Sequence, residues 1–139
     1  MEAVLSVDHR ALIKSSFDQL MPISNTFVHL FYNRLFECRP DIRPLFTTSI
    51  EDQGPKLIYM LAMLVRGIDR LHDLAPTIEA LSKRHVEYGV KPEDYQSVGV
   101  ALIWTLDEVL GDDFTAEVKA AWIEMYNTLA EICINAAYN

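Results

Sequence analysis

The chain has 139 residues, a length that predicts one folded domain covering residues 1–139. Half of the residues are hydrophobic, which supports a packed core and excludes a disordered chain. The formal net charge is −8, from 12 basic and 20 acidic residues. Such an acidic chain repels phosphate backbones, so we expect no binding to nucleic acid.

The amino terminus and the longest apolar stretch both favour a soluble, cytoplasmic protein. The chain begins Met-Glu-Ala, without the basic and apolar segments of a signal peptide. The apolar stretch 57–65 is too short to span a bilayer, so no membrane insertion is expected. Cys38 and Cys133 lack a metal-ligand spacing, and in a reducing cytoplasm we expect both to be small buried residues; in a secreted chain they could form a disulfide.

Helical periodicity dominates the chain, and it predicts six or seven helices with short connections and no strand. The first helix is predicted to begin near Ser6 and to end before Pro22. The second is predicted over residues 24–39, with a short helical turn over 41–45 after Pro40.

The second half of the chain follows the same pattern. A loop is predicted over residues 47–52, and a mostly buried helix over 53–69. A further helix is predicted over 74–86. The last two helices are predicted to begin at Pro92 and after a capping Thr115, with Gly111 ending the first of them.

The four histidines are the main candidates for chemistry, because the sequence contains no nucleotide-binding, metalloprotease or serine-hydrolase motif. His9 and His72 are expected to be exposed, and His29 to be a surface or structural histidine. His85 follows Leu81 by four residues, so the Leu81 carbonyl can accept a hydrogen bond from Nδ1 and leave Nε2 free for a metal. On this spacing alone, a structural role for His85 is the better interpretation.

An ordered set of residues resembles the globin family, and most closely single-domain bacterial haemoglobins and the globin domain of flavohaemoglobins. The set comprises the run 31–36 (FYNRLF), Pro40, Leu45-Phe46, Gln53 with Leu57, His85, Tyr95, and Ala121-Trp122 with Tyr126. The match covers essentially the whole chain in order, so it is more specific than any of its single motifs. It implies an all-α globin fold of six to eight helices packed around a haem pocket.

The resemblance implies a role for each matching residue. His85 matches the proximal histidine, the protein ligand of iron in haem b (iron protoporphyrin IX). Tyr32 matches the distal tyrosine, Phe46 the phenylalanine that packs on the haem, and Gln53 the distal glutamine, with Leu57 one helical turn later. Arg84 or Lys56 could pair with the haem propionates. The remaining residues expected to bury the haem are Phe31, Leu81, Val90, Val98 and Leu102.

Alternatives remain for several of these positions. Tyr32 and Phe46 also fit as core aromatic residues, and Gln53 as a polar residue at a helix start. The loop before Gln53 differs in length from that of the similar globins, so Asp52 or Gly54 is the alternative at that position.

One departure concerns the proximal side of the pocket. In flavohaemoglobins, a tyrosine and a glutamate form a network with the proximal histidine. Tyr95 matches the tyrosine, but the glutamate position falls at Ala137, and Glu131 should point elsewhere on the last helix. The missing carboxylate disfavours peroxidase-like chemistry.

The resemblance implies a globin that reversibly binds dioxygen at a five-coordinate ferrous haem, for storage, delivery or transport. Carbon monoxide and nitric oxide are further expected ligands. Hydrogen bonds from Tyr32 and Gln53 predict tight binding and slow release of oxygen. The alternatives are a nitric oxide dioxygenase that works with a separate reductase, and a gas sensor with a separate signalling partner. Binding without turnover, by a monomer or homodimer, is the default interpretation.

Overall fold

The computed structural model describes residues 7–46, 49–74, 76–80, 83 and 91–138. Helices carry the fold in these ranges, which contain no strand. The long helices are α1 (Val7–Leu20), α2 (Ser24–Cys38), α3 (Ile50–Arg66), α4 (Pro92–Leu110) and α5 (Ala116–Tyr138). Short 3₁₀ segments occupy Met21–Ile23, Pro40–Leu45, Ile68–Leu74 and Gly111–Asp113, and residues 76–80 add a further piece of α-helix.

Several predicted helix ends are confirmed, and each has a local cause. Pro92 begins α4, where its missing N–H costs no helical hydrogen bond. Gly111 ends α4 with φ of 56°, a conformation that glycine adopts without strain. The hydroxyl of Thr115 accepts a hydrogen bond from the Val118 N–H at 3.2 Å and so caps α5. The predicted cap at Ser6 and six of the thirteen residues of the helix predicted over 74–86 lie outside the described residues.

The start of α3 differs from the prediction, because α3 begins at Ile50 rather than at Gln53. Ser49 is its N-cap, and the Ser49 hydroxyl accepts a hydrogen bond from the Asp52 N–H at 3.3 Å. Glu51 and Asp52 place negative charge in the first turn, where the helix dipole stabilises it. The predicted loop was therefore too long.

The burial of α3 also differs from the prediction. Leu61, Leu64 and Val65 are buried, whereas Tyr59 is 75% exposed. Of the nine residues in the apolar run 57–65, four are buried, four are half-buried and Tyr59 is exposed, so the run is less enclosed than predicted.

The core lies where α1 packs on α5 and where α2 packs on both α3 and α4. Trp122 of α5 is fully buried and donates its Nε1–H to the hydroxyl of Ser16 on α1 at 2.8 Å. Ser16 in turn donates to the carbonyl of Leu12 at 2.7 Å. Both polar groups are therefore satisfied inside the core.

The packing of α1 and α2 corrects two expectations about single residues. His9 is only 27% exposed in its side chain, because Nδ1 lies 2.7 Å from Oε2 of Glu124 on α5. Cys38 is exposed, since it follows Leu35, the last buried residue of α2. Cys133 is buried as predicted, and neither cysteine forms a disulfide. The side chain of His72 lies outside the described residues.

Across the described part of the chain, no helix is both long and apolar enough to cross a membrane.

The crossing of α2 and α3 depends on a glycine. A Cβ atom added at Gly54 would lie 2.9 Å from Cγ2 of Val28 on α2. Side-chain carbons do not normally approach that closely, so glycine at position 54 lets the two helix backbones come together.

We expect Gly54→Ala to lower the free energy of unfolding by about 1–3 kcal/mol, because the added methyl group overpacks the crossing. At an unconstrained helical position, alanine would instead stabilise the chain by about 1 kcal/mol relative to glycine. Urea unfolding followed by circular dichroism measures the change. In the Val28→Ala background, the same substitution should cost much less. A Gly54→Ala variant more stable than the wild type would contradict the close approach.

Candidate functional site

An aromatic cluster, formed by Tyr32, Phe36 and Phe46, lies between α2 and the segment that follows it. Tyr32 and Phe36 are four residues apart on one face of α2, with ring centroids 5.9 Å apart. The 3₁₀ segment Pro40–Leu45 turns the chain back, so that the Phe46 ring packs edge-on against Tyr32 at 5.7 Å and against Phe36 at 5.3 Å. Tyr32 is 3% exposed, and Phe46 is half-buried.

The aromatic cluster lines a narrow recess that is too small to hold a water molecule. Ile50 and Gln53 close the recess from the first turn of α3. Arg43 lies at its edge, with the guanidinium 4.8 Å from the centroid of the Phe36 ring and Nη1 donating to the Phe46 carbonyl at 3.2 Å. The recess is therefore apolar inside, with polar groups supplied by few side chains.

Tyr32 and Gln53 form a side-chain hydrogen bond across the recess. Burial raises the pKa of Tyr32 to about 12, and the hydrogen bond to Gln53 opposes this shift without cancelling it. The phenol is therefore protonated at neutral pH and remains a hydrogen-bond donor. The Tyr32–Gln53 pair thus presents a neutral hydroxyl and an amide inside an aromatic enclosure.

The structure brings Tyr32, Phe46 and Gln53 to one place. Among the three candidates for the distal position, the structure favours Gln53, because Asp52 is exposed and Gly54 packs against α2. Of the three residues Asp52, Gln53 and Gly54, Gln53 is accordingly the one that reaches the recess.

The other predicted haem contacts are distributed over three helices. Leu57 of α3 and Tyr95 and Val98 of α4 are half-buried and pack against the core, whereas Lys56 is exposed. Phe31 and Leu102 are fully enclosed in the core. Four predicted residues lie outside the described residues: Leu81, Arg84, His85 and Val90. The backbone of Ala137 belongs to α5, and its side chain is outside the described part.

Sequence reasoning missed three residues of the recess: Phe36, Arg43 and Ile50. Phe36 could have been found, since it lies one helical turn after Tyr32 within the matched run. Arg43 and Ile50 carried no signal, because their positions depend on how the chain turns after α2.

Tyr95 is held in place from α5. The hydroxyl of Tyr126 donates to the Tyr95 carbonyl at 2.5 Å, and burial raises the pKa of Tyr126. A Cβ added at Gly99 would lie 2.6 Å from Cε2 of Tyr126, so glycine leaves the space that the Tyr126 ring occupies.

A polar pair joins α2 and α3 on the surface beside the crossing. His29 donates from Nδ1 to the Asn25 carbonyl at 2.9 Å, and its Nε2 lies 3.3 Å from Oε1 of Glu51. Glu51, which falls in the predicted loop 47–52, is thus a helical residue with a partner. The pKa of His29 is raised, chiefly by the hydrogen bond to the Asn25 carbonyl and next by Glu51. The pKa of Glu51 is lowered, chiefly by a hydrogen bond with its own backbone and next by the hydrogen bond with His29.

The sequence profile of the Globin family matches residues 29–133, which is more than half of the chain. The chain therefore belongs to the globin family, as the ordered residues predicted. A flavohemoprotein of Xylella fastidiosa (strain Temecula1) is 36% identical over 135 residues, which cover 95% of this chain but 34% of that protein. The chain spans about a third of the length of such relatives.

Solved structures confirm the predicted fold. An engineered carbene transferase from Rhodothermus marinus, described as a candidate nitric oxide dioxygenase, superimposes with a TM-score of 0.82 and 33% identity. The match covers 92% of this chain and 89% of that one. A flavohemoglobin from Malassezia yamatoensis with bound FAD and heme has the same fold, with a TM-score of 0.80, 21% identity, and coverage of 96% of this chain and 37% of that one.

We expect the His29–Glu51 pair to make stability depend on pH. The pKa of His29 is raised above 6.5, so its contribution is complete below that value and is lost as the pH rises through the raised pKa. The pKa of Glu51 is lowered from 4.5, so its contribution is present above that value and is lost as the pH falls through the lowered pKa.

The difference in the free energy of unfolding between wild type and His29→Gln should therefore be largest between pH 4.5 and pH 6.5. Urea unfolding of both chains across this range measures it, with Glu51→Gln as the matched variant. A difference that does not change with pH, or one that grows in alkali, would show that the pair does not form.

Proposed function

We propose that this globin binds haem b through His85 and binds dioxygen reversibly on the side where Tyr32 and Gln53 lie. The observation that carries the proposal is the hydrogen-bonded Tyr32–Gln53 pair inside a buried aromatic recess. Both residues match the distal positions of similar globins, and both can donate hydrogen bonds to a small ligand.

The described residues fit a haem group. Phe46, Leu57, Tyr95 and Val98 are half-buried apolar or aromatic side chains on three segments, so they leave largely apolar surface for a large flat cofactor. The recess itself is much smaller than haem and is closed by Tyr32 and Gln53, as expected for the part of a pocket that faces a small ligand. Lys56 is exposed on α3, where an ammonium group could pair with a carboxylate at the pocket edge.

Each residue of the pocket has a defined task in this proposal. When bound, haem supplies an iron atom that takes up and releases a diatomic ligand, and His85 would hold that iron. Tyr32 donates its hydroxyl hydrogen to the ligand, and Gln53 orients the hydroxyl. Phe46 covers the Tyr32 ring and excludes water from the donor. Because the pKa of Tyr32 is about 12, its donor function is independent of pH near neutrality.

A second candidate function is oxidation of nitric oxide with electrons from a separate reductase. The relatives favour it, since they are flavohemoproteins of which this chain matches about a third. The similarity to a candidate nitric oxide dioxygenase favours it as well. Consumption of nitric oxide by the reduced, oxygenated protein with a supplied reductase tests this function directly, and reversible binding without turnover would leave oxygen binding as the function.

We expect Tyr32→Phe to increase the oxygen dissociation rate by about ten- to a hundredfold. The reason is that a hydrogen bond to a charged partner contributes about 1.5–3 kcal/mol. Stopped-flow displacement of oxygen by carbon monoxide measures the rate. Gln53→Leu should have a smaller effect, because it removes the orienting group and leaves the phenol.

Tyr59→Phe is the matched control, because its hydroxyl lies on the exposed side of α3. This variant should release oxygen at the wild-type rate. If Tyr32→Phe also kept the wild-type rate, Tyr32 would not be the distal donor.

A further inference from the structure

Arg39 makes the most extensive polar network in the described part of the chain. It follows α2, and its guanidinium reaches three side chains. Nε and Nη2 donate to the two oxygens of Asp41 at 3.0 and 2.9 Å. Nη2 also donates to Oδ1 of Asp94 at 2.9 Å, and Nη1 donates to the hydroxyl of Ser97 at 2.7 Å. We call these four residues the Arg39 network.

Asp94 is the critical member of the Arg39 network, because it is only 4% exposed. Its second oxygen, Oδ2, accepts the backbone N–H of Lys91 at 2.9 Å and so caps the start of α4. A buried carboxylate is costly unless it is paired and hydrogen-bonded, and Arg39 supplies the pairing charge. The first turn of α4 is therefore attached to the end of α2 by a charged, geometrically specific contact.

The same turn of α4 is fixed from a second side. Tyr95, next to Asp94, accepts at its carbonyl the hydroxyl hydrogen of Tyr126 on α5. Contacts from α2 and from α5 thus fix two consecutive residues at the start of α4. That start follows His85 in the chain by seven residues and carries Tyr95, which matches the proximal tyrosine.

We infer that Arg39 is a positioning residue for the proximal side of the haem pocket: it ties the α4 turn that carries Tyr95 to α2, the helix that carries Tyr32. This inference rests on the proposed haem binding through His85. Its physical basis is the rigidity of the contact with α4, in which the planar guanidinium donates to Asp94 and to Ser97 at once. Loosening this contact would spread the positions of the proximal residues and leave the Tyr32–Gln53 pair in place.

The test uses two variants, called the tie variants, that weaken the contact between Arg39 and α4 in different ways. Arg39→Lys keeps the charge and loses the planar fork. The double variant Arg39→Met with Asp94→Asn removes both charges together, and the Asn carbonyl can still accept the Lys91 N–H. Neither leaves a buried charge unpaired, so both should fold. Asp41→Asn is the control, because it changes only the exposed partner of the same guanidinium.

Resonance Raman spectra of the reduced, ligand-free protein report the iron–imidazole stretching band, and infrared spectra of the carbon monoxide complex report the distal side. We expect both tie variants to broaden and shift the iron–imidazole band and to keep the wild-type C–O band. Asp41→Asn should keep both bands. Thermal unfolding of the same samples reports the purely structural effect.

An unchanged iron–imidazole band in both tie variants, with lower thermal stability, would overturn the inference and leave the Arg39 network a structural contact. A shift of equal size in Asp41→Asn would overturn it as well. Wild-type protein without a haem spectrum would refute the proposed function itself, and that result is distinguished from the others because it appears before any substitution is made.

Discussion

The close approach of α2 and α3 at Gly54 is the constraint on which the pocket depends. Because residue 54 has no Cβ, the α3 backbone comes close to Val28. The residue before it, Gln53, then reaches the hydroxyl of Tyr32, and Glu51 at the same helix end reaches His29. These contacts join the first turns of α3 to one stretch of α2, so a change at the crossing reaches the Tyr32–Gln53 pair directly.

The buried phenol explains why the crossing has to be this close. A tyrosine that is 3% exposed needs a hydrogen-bond partner, since an unsatisfied buried hydroxyl destabilises the fold by about 1–3 kcal/mol. Gln53 provides that partner from α3. The aromatic cluster excludes water and keeps the hydroxyl neutral, and these conditions leave a strong, fixed donor for a small ligand.

Side-chain contacts at the ends of α2 and within the core hold the remaining helices around this pair. Arg39 connects the end of α2 to the buried carboxylate of Asp94 at the start of α4. Ser16 and Trp122 connect α1 to α5 through a buried hydrogen bond. The two connections lie on separate helix pairs, so the fold does not depend on one polar contact.

Several helix ends could be predicted from the sequence because their determinants are local. Pro92, Gly111 and Thr115 each act through their own backbone or hydroxyl, and the helix ends they set were predicted correctly. The predicted start of α3 was wrong because the helix is capped by the Ser49 hydroxyl, and no hydrophobic periodicity marks the boundary in that segment.

Residues whose surroundings come from another helix could not be predicted from local pattern. His9 is half-buried only because α1 packs on α5, and Tyr59 is exposed because α3 packs on its neighbours with one face. Tyr32 and Gln53 were found through the family resemblance, since periodicity alone made Tyr32 a core aromatic residue. Arg43 and the Arg39 network were missed, because they depend on how the chain turns after α2.

The central claim is that this globin holds a haem group through His85 next to the Tyr32–Gln53 pair. An optical spectrum of the reduced protein, reconstituted with equimolar haem and recorded before and after carbon monoxide, tests it most directly. Wild type should show an intense Soret band that shifts with carbon monoxide, and His85→Gly should lose this spectrum and regain it with added imidazole. No Soret band in the wild type, or an unchanged spectrum in His85→Gly, would contradict the account.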